Sequence, residues 1–511
     1  MKKPLVYLVG AGPGDPELIT LKAIRCLSEA DCVIFDGLAN ADFLEYAPAA
    51  AEKISVAKRG GQDSYKQDQI NALLVQKALE GKIVVRLKGG DPMLFARGGE
   101  EAAALHNAEI AFEIVPGITA GLAAAEYSGI FLTDRNTCSQ VMFVTGHPSA
   151  DKDFDFIDWD YLARFDGSIV LYMAMSNLAQ IAERLIAGGK PANTPAAVIQ
   201  HATLPGQRMA RGPLDNIDAI CKTAGLSAPA IVMIGKAADS PDVYNWFMSQ
   251  PLFGKTIIVT RDPAGNQRLG KLLGQQAAGV VDFSCIELQG PIESPVLKNA
   301  IRDLNDYDWI VFTSSHGVDF TMELLARYRK DSRAFGSAKI ACIGKPTAES
   351  LLRYGIRADF VPSEFTGKAL ARELAGHSDI RRKNVLLLRS GAATDDLADG
   401  LRQSGAAVED IRIYTTVTRQ QPQEAKDHVV ALILAGGADW ITFTSSSTVQ
   451  GFFEQIDKTL VKNAAVKIAS IGPETTRQLE ALGLTIHLEA KPHTAAGLVQ
   501  SLAVYHGTAG K

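Results

Sequence analysis

Gly10, Gly12 and Gly14 follow an apolar run in VYLVGAGPGDPELITLKA (residues 6–23) and open onto a segment of helical character. Glycines spaced this way let a ligand lie against backbone where a strand gives way to a helix, and the first chemistry to test is a dinucleotide pyrophosphate held by G-x-G-x-x-G. The stretch fails that pattern. Its third glycine would have to be residue 15, which is Asp15, and Pro13 lacks the backbone N–H that a phosphate needs. Two readings of the turn stay open: a tight βα turn in which glycine supplies positive φ, or a site for a ligand without phosphate.

Other apolar runs end on polar or glycine-rich residues, where the ligands of open α/β sheets bind. They are FDG (35–37), AKR (57–59), KGGDP (88–92), VPGITAG (115–121), GHP (146–148), YMAM (172–175) and QHAT (200–203). Asp36 alone reads as a helix cap and Lys58 as a solvated surface charge. Their position at strand ends of one sheet favours a functional reading of both. The most specific stretch is VVRLKGGDPMLFARGGEE, in which two glycines, an acid and a proline after a strand let a ligand approach backbone. A turn alone would not require the second cluster, RGGEE.

The elements that must hold these residues are α/β. Short Val- and Ile-rich runs alternate with helical segments throughout, which argues for parallel sheets covered by helices. At 511 residues the length corresponds to roughly three to four domains of ~150 residues. Net charge −5 without a basic tract argues against a nucleic-acid partner, so an anionic ligand must meet locally placed Arg and Lys. The six cysteines form no CxxC and read as buried thiols of a reducing compartment, with no metal or disulfide role. The apolar part of MKKPLVYLVGAG is too short for a signal peptide, and GITAGLAAAEYSGIFL is too short and interrupted to span a bilayer. A cytoplasmic protein with no membrane contact is expected.

The segment 236–256, KAADSPDVYNWFMSQPLFGKT, has no clean period and reads as a linker, with a boundary near residue 250. Beyond it the chain repeats. GKTIIVTRDP at 254 resembles RKNVLLLRSG at 382, DWIVFTSSHGV at 308 resembles DWITFTSSSTV at 439, and KIACIGKPTAESL at 339 resembles KIASIGPETTRQL at 467. The offsets are 128, 131 and 128 residues, so the second half is a duplicated α/β unit with its ligand expected between two lobes.

Taken together, VGAGPGD, VVRLKGGDP.LF.RGGEE, VPGITA and LYM resemble the tetrapyrrole methylases over residues 3–247, and among them uroporphyrinogen-III C-methyltransferase. The resemblance implies a two-lobed α/β methylase over 1–247 that uses S-adenosylmethionine and no metal, with tetrapyrrole substrates, forming a homodimer through this half. It implies cofactor contacts from Pro13, Gly89, Gly90, Asp91, Leu94, Thr119, Ala120, Met173 and Ala202. Asp36 would be a proton acceptor and Lys58 a proton donor. S-adenosylmethionine has no phosphate, so Pro13 ceases to be an anomaly. For a substrate with eight carboxylates, Arg59, Arg97 and Arg135 are candidate partners, a surface ion pair being the competing reading for each. The chain departs from the family at Gly37, where Arg usually follows the aspartate, at Ala57 and Ala96, where Gly is usual, and at Asp134, where His is usual.

The ordered motifs IVTR, DWIVFTSS.GV, IGKPTA, VLLLRS, IYTTV and SIGPETT resemble uroporphyrinogen-III synthase over 252–505. That resemblance implies a bilobal fold over 252–511, one lobe joining 252–290 to 418–511 and the other, 291–417, inserted. It implies Tyr414 as a catalytic acid and Thr347, Ser446 and Thr475 as donors to substrate carboxylates. Without it, Tyr414 reads as a packed tyrosine and the hydroxyls as helix caps. The expectation is a bifunctional enzyme of siroheme and cobalamin precursor synthesis. Two rivals stand beside it: a nicotinamide-dependent oxidoreductase in the first half, suggested only by the glycines, and an inactive binding or regulatory module in the second.

Overall fold

The computed structural model describes residues 6–57, 65–136, 138–147, 154–292, 294–391 and 393–508. The chain forms two compact units. One runs to Lys255 and includes Leu273–Gly279 and the tail from Ala503, and the other comprises Thr256–Leu272 and Val280–Leu502.

The first unit holds two five-stranded sheets. In the first, β1 (Val6–Gly10), β2 (Cys32–Phe35), β3 (Glu52–Ser55), β4 (Val84–Lys88) and β5 (Phe112–Val115) take the order β3-β2-β4-β1-β5 and are parallel throughout. Every residue of β1, β2 and β4 is buried, as expected of strands covered on both faces. In the second, β6 (Val141–Thr145), β7 (Ser168–Tyr172), β8 (Pro195–Gln200), β9 (Arg208–Pro213) and β10 (Ala230–Ile234) take the order β6-β7-β10-β8-β9. Only β6 and β7 are parallel, so the all-parallel expectation fails in this sheet. The strand β9 has no apolar run to announce it. Its sequence RMARGP suits an edge strand, where Pro and charge blunt further pairing.

The segment read as a linker is not loose. Phe247 and Leu252 are buried, and the Phe247 ring lies 4.9 Å from that of Tyr127. Trp246 Nε1 donates to the Glu126 carbonyl at 3.0 Å.

The second unit runs β11 (Thr256–Val259), β12 (Gly279–Asp282), β13 (Ile286–Gln289), β14 (Trp309–Phe312), β15 (Lys339–Cys342), β16 (Asn384–Ser390), β17 (Ala407–Thr418), β18 (Trp440–Phe443), β19 (Lys467–Ser470) and β20 (Leu488–Glu489). The two sheets are β12-β11-β18-β19-β20 and β13-β17-β16-β14-β15. Each mixes both sequence repeats: Ile258 of β11 lies opposite Ile441 of β18, while Ile310 of β14 lies opposite Leu386 of β16. The crossing point differs from the expected 290/291. Ile286 pairs with Thr418, so β13 and all of β17 belong to the inserted sheet and the chain changes sheet at Cys285 and again at Arg419. Arg419 N donates to the Cys285 carbonyl at 2.9 Å, which ties the two crossings together. All six cysteines are buried and free.

Candidate functional site

In the first unit the loops after β1, β4 and β5 meet backbone to backbone. A Cβ on Gly10 would lie 2.6 Å from Gly117 N and 2.7 Å from the Gly90 carbonyl oxygen, so only glycine fits there. Gly12 and Gly90 exchange hydrogen bonds of 3.1 and 2.7 Å, Gly90 having φ +67°. Asp91 Oδ1 accepts from Met93 N at 2.8 Å and Oδ2 from Gly117 N at 3.1 Å. Both oxygens of this expected ligand contact therefore first fix the loops.

Loops of the second sheet join these. Tyr172, at the end of β7, accepts from Gly121 N at 2.8 Å and shares a hydrogen bond of 2.6 Å with Thr119 Oγ1. Asp15 N donates to Thr203 Oγ1 at 3.0 Å, which joins the Pro13 turn to the loop holding Ala202. Phe95, Arg97, Met173, His201 and Thr203 all have φ between 49° and 70°. Left-handed backbone at non-glycine residues is costly, and this clustering at strand ends marks a functional region. Leu94, Ala120 and Ala202 pack on the buried core of the second sheet.

Arg97 and Arg135, the candidate partners of substrate carboxylates, both reach solvent. Arg97 forms a bidentate pair with Glu100, both distances 2.8 Å, and lies largely in solvent. Arg135 is exposed beside the Asp134–Cys138 bridge. Lys58 and Arg59 lie outside the described residues.

Asp36 sits at the end of β2. Arg86, 1% exposed in β4, donates to its Oδ1 at 2.6 Å and through Nε to Glu101 Oε1 at 2.9 Å. Lys88 Nζ reaches the same Glu101 oxygen at 2.7 Å. Two cations and two anions thus form a buried network in which desolvation, with Arg86 adding to it, lowers the Lys88 pKa. The sequence reading passed over Arg86, Lys88 and Glu101. The signal for the two cations was ionisable residues inside a strand otherwise apolar on both faces.

In the second unit Tyr414, buried in β17, places Oη 2.9 Å from Ser314 Oγ. Ser314 caps the helix Ser315–Arg327, accepting from Gly317 N at 3.0 Å. The rings of Phe320 and His316 lie 5.3 and 6.3 Å from that of Tyr414. Thr347 and Thr475 are buried in first helical turns, but the caps are Gly344 and Gly472, so the capping reading fails for both. Their hydroxyls have no partner among the described residues. Ser446 opens the helix Ser446–Phe453, whose cap is Ser445.

Residues 5–218 match the family of tetrapyrrole (corrin/porphyrin) methylases, and residues 267–500 match uroporphyrinogen-III synthase HemD. Over 452 residues the chain is 36% identical to the porphyrin biosynthesis protein HemD of Ruminiclostridium josui, covering 88% of this chain and 89% of that one. It is 38% identical to the uroporphyrinogen-III C-methyltransferase of Bacillus subtilis, covering 70% and 72%. It is 48% identical to the S-adenosyl-L-methionine-dependent uroporphyrinogen III methyltransferase of Methanosarcina barkeri, covering 47% and 93%.

Proposed function

Because the chain belongs to the porphyrin-biosynthesis proteins that join a tetrapyrrole methylase to a uroporphyrinogen-III synthase, we propose that residues 1–247 methylate uroporphyrinogen III at C2 and C7 to give precorrin-2, and that residues 252–511 make uroporphyrinogen III from hydroxymethylbilane. One observation carries the reading: both matches lie in order on one chain, and the product of the second half is the substrate of the first.

The first cradle suits S-adenosylmethionine. Its glycines let the loops after β1, β4 and β5 close on one another backbone to backbone, and Pro13 removes a donor that only a phosphate would require. When bound, this co-substrate supplies a methyl group on a sulfonium, already activated for attack by carbon. The chain supplies alignment and proton handling. Asp36, with Oδ1 held by Arg86, takes no hydrogen bond at Oδ2 from the described residues and accepts the proton released at the methylated ring. Lys58 returns a proton, and Pro13, Gly89, Gly90, Leu94, Thr119, Ala120, Met173 and Ala202 line the cofactor. Asp91 acts by shaping the loops.

In the second half, Tyr414 protonates the leaving hydroxyl while Thr347, Ser446 and Thr475 donate to carboxylates. Ser314 Oγ already accepts from Gly317 N and is free to donate its own proton to Tyr414 Oη, which turns the phenol proton toward substrate.

A homodimer through the methylase half accords with the exposed rings of Phe131 and Tyr244, which lie 4.9 Å apart. Among the described residues no helix is long and apolar enough to cross a membrane, and a cytoplasmic enzyme accords with this. The test is to incubate the protein anaerobically with hydroxymethylbilane and S-adenosylmethionine and to identify the product by mass. Formation of precorrin-2 supports both activities. Type I ring alone removes the synthase, and unmethylated type III removes the methylase.

A further inference from the structure

The loop that carries Gly89, Gly90, Asp91 and Leu94 leaves β4 at Lys88 and ends at the helix Gly98–Asn107. One side chain joins its two ends. Glu101, in the first turn of that helix and wholly buried, accepts from Lys88 Nζ on Oε1 at 2.7 Å. The same oxygen accepts from Arg86 Nε at 2.9 Å and from Gln67 Nε2 at 3.3 Å, while Oε2 is buried with no partner among the described residues. Arg86 carries the link onward. Its Nη2 donates to Asp36 Oδ1 at 2.6 Å, and its Nη1 reaches only the carbonyls of Ile34 and Leu87, each at 3.4 Å.

Stability alone is a poor account of this arrangement. Taking ions out of water is costly, and a buried pair seldom does better than apolar residues of the same volume. Arg86 and Lys88 are 1% and 2% exposed in a strand whose other residues are apolar and buried, where an apolar side chain is the usual choice. Three donors crowded on one carboxylate oxygen, with the other unpartnered, leave the acid incompletely satisfied. What the geometry does supply is a fixed path from both ends of the cofactor loop to the end of β2. The Glu101 end of that path is sealed in the protein, while the Asp36 side chain, 32% exposed, opens to solvent.

We propose that Glu101 is a positioning residue for methyl transfer: through Arg86 it fixes Asp36 relative to the co-substrate held by the loop that Lys88 and Glu101 close. The proposal rests on the reading of residues 1–247 as a methylase in which Asp36 accepts a proton. A proton acceptor must stand within hydrogen-bond reach of the reacting centre, and a displacement of about 1 Å can cost about 10²-fold in rate. The guanidinium is planar, so holding its Nε on Glu101 fixes the direction in which Nη2 meets Asp36. Glu101 itself, sealed from solvent, acts only through these neighbours.

The test is a double-mutant cycle on the full chain, with uroporphyrinogen III and methyl-labelled S-adenosylmethionine as substrates. Glu101→Gln is expected to lower kcat by about 10–10²-fold, with KM for uroporphyrinogen III and Kd for S-adenosylhomocysteine within about threefold of the parent. In an Asp36→Asn background the same change should lower the residual rate by less than about twofold, since no acceptor is left to aim. A residue that only supports the fold lowers the rate by the same factor in both backgrounds, and that result overturns the proposal, as does a parental kcat in Glu101→Gln. Glu101→Asp keeps the charge but shortens the side chain by one methylene, so it should not restore the rate; recovery would show that charge rather than position matters and overturns the proposal too. If Glu101→Gln does not fold, as judged by its thermal transition with and without S-adenosylhomocysteine, Glu101→Asp carries the same cycle. A parent protein that does not methylate uroporphyrinogen III overturns the methylase reading as well, and parental activity in Asp36→Asn removes the proton-acceptor role, so these failures are distinct from that of Glu101.

Discussion

A Cβ on Gly37 would lie 2.9 Å from the Cβ of Ala57, so the loops after β2 and β3 hold a side chain at 57 only because 37 has none. These are two of the positions at which the chain departs from the methylase pattern, which usually has Arg after the aspartate and Gly before the lysine. The departures are one physical change, volume moved from one strand end to its neighbour. Gly37→Arg alone should cost about 1–3 kcal/mol through overpacking. Combined with Ala57→Gly it should recover most of that loss. Thermal denaturation of both single variants and the double variant measures the coupling, and simple additivity would show the positions to be independent.

Asp36 and Arg86 should separate chemistry from stability. If Asp36 is the proton acceptor, Asp36→Asn removes it but leaves a group that Arg86 can still reach, so methyl transfer should fall by about 10²–10⁴ with little change in affinity for S-adenosylhomocysteine. Arg86→Met instead leaves Glu101 buried with fewer cations, and a cost of about 3–5 kcal/mol is expected. Equal loss of activity and cofactor affinity in Asp36→Asn would make it a binding residue.

The parallel first sheet and the two-fold repeat were legible because their strands are uninterrupted apolar runs. The strand β9 was not, since an edge strand needs no apolar face and RMARGP has none. The exchange of strands between repeats was also hidden from periodicity. Nothing in the spacing says whether β11 pairs with its own repeat or with β18. At the sites, Asp36 and the glycines stood out by position. For Arg97 a substrate contact and a surface ion pair were competing readings, and its side chain pairs with Glu100 three residues along.

The Arg389–Asp410 pair gives a pH signature. Arg389 holds the Asp410 carboxyl below the usual carboxylate range, against the opposing effect of burial. A depressed folded-state pKa means stability that is present above the unfolded value of about 3.9 and is lost as pH falls through the folded one. Asp410→Asn should therefore cost about 3–5 kcal/mol near pH 7, where it leaves the buried Arg389 with only the exposed Asp395 carboxylate at 3.2 Å. The gap between variant and parent should narrow below about pH 4. Urea denaturation of the second unit at a series of pH values checks this, and a gap that stays constant would show that the pair contributes no charge-dependent stability.

Tyr414 decides whether the second half is an enzyme. Hydroxymethylbilane closes unaided to the uninverted type I ring, so an inert module yields type I and an active synthase type III. Tyr414→Phe keeps the ring in contact with Phe320 and His316 and loses only the hydroxyl and its bond to Ser314, a stability change of about 0.5–1.5 kcal/mol. If the phenol protonates the leaving hydroxyl, the rate of type III formation falls by about 10²–10⁴ and the residual product shifts toward type I as the spontaneous path competes. Ser314→Ala should lie between the two. It removes the group that orients the phenol proton but not the proton, and it also removes a helix cap worth about 1 kcal/mol. Isomer analysis of the oxidised products by chromatography reads all three proteins. A Tyr414→Phe variant that keeps the parental rate and isomer ratio would leave this tyrosine as packing and pass the acid role to another group in the cleft.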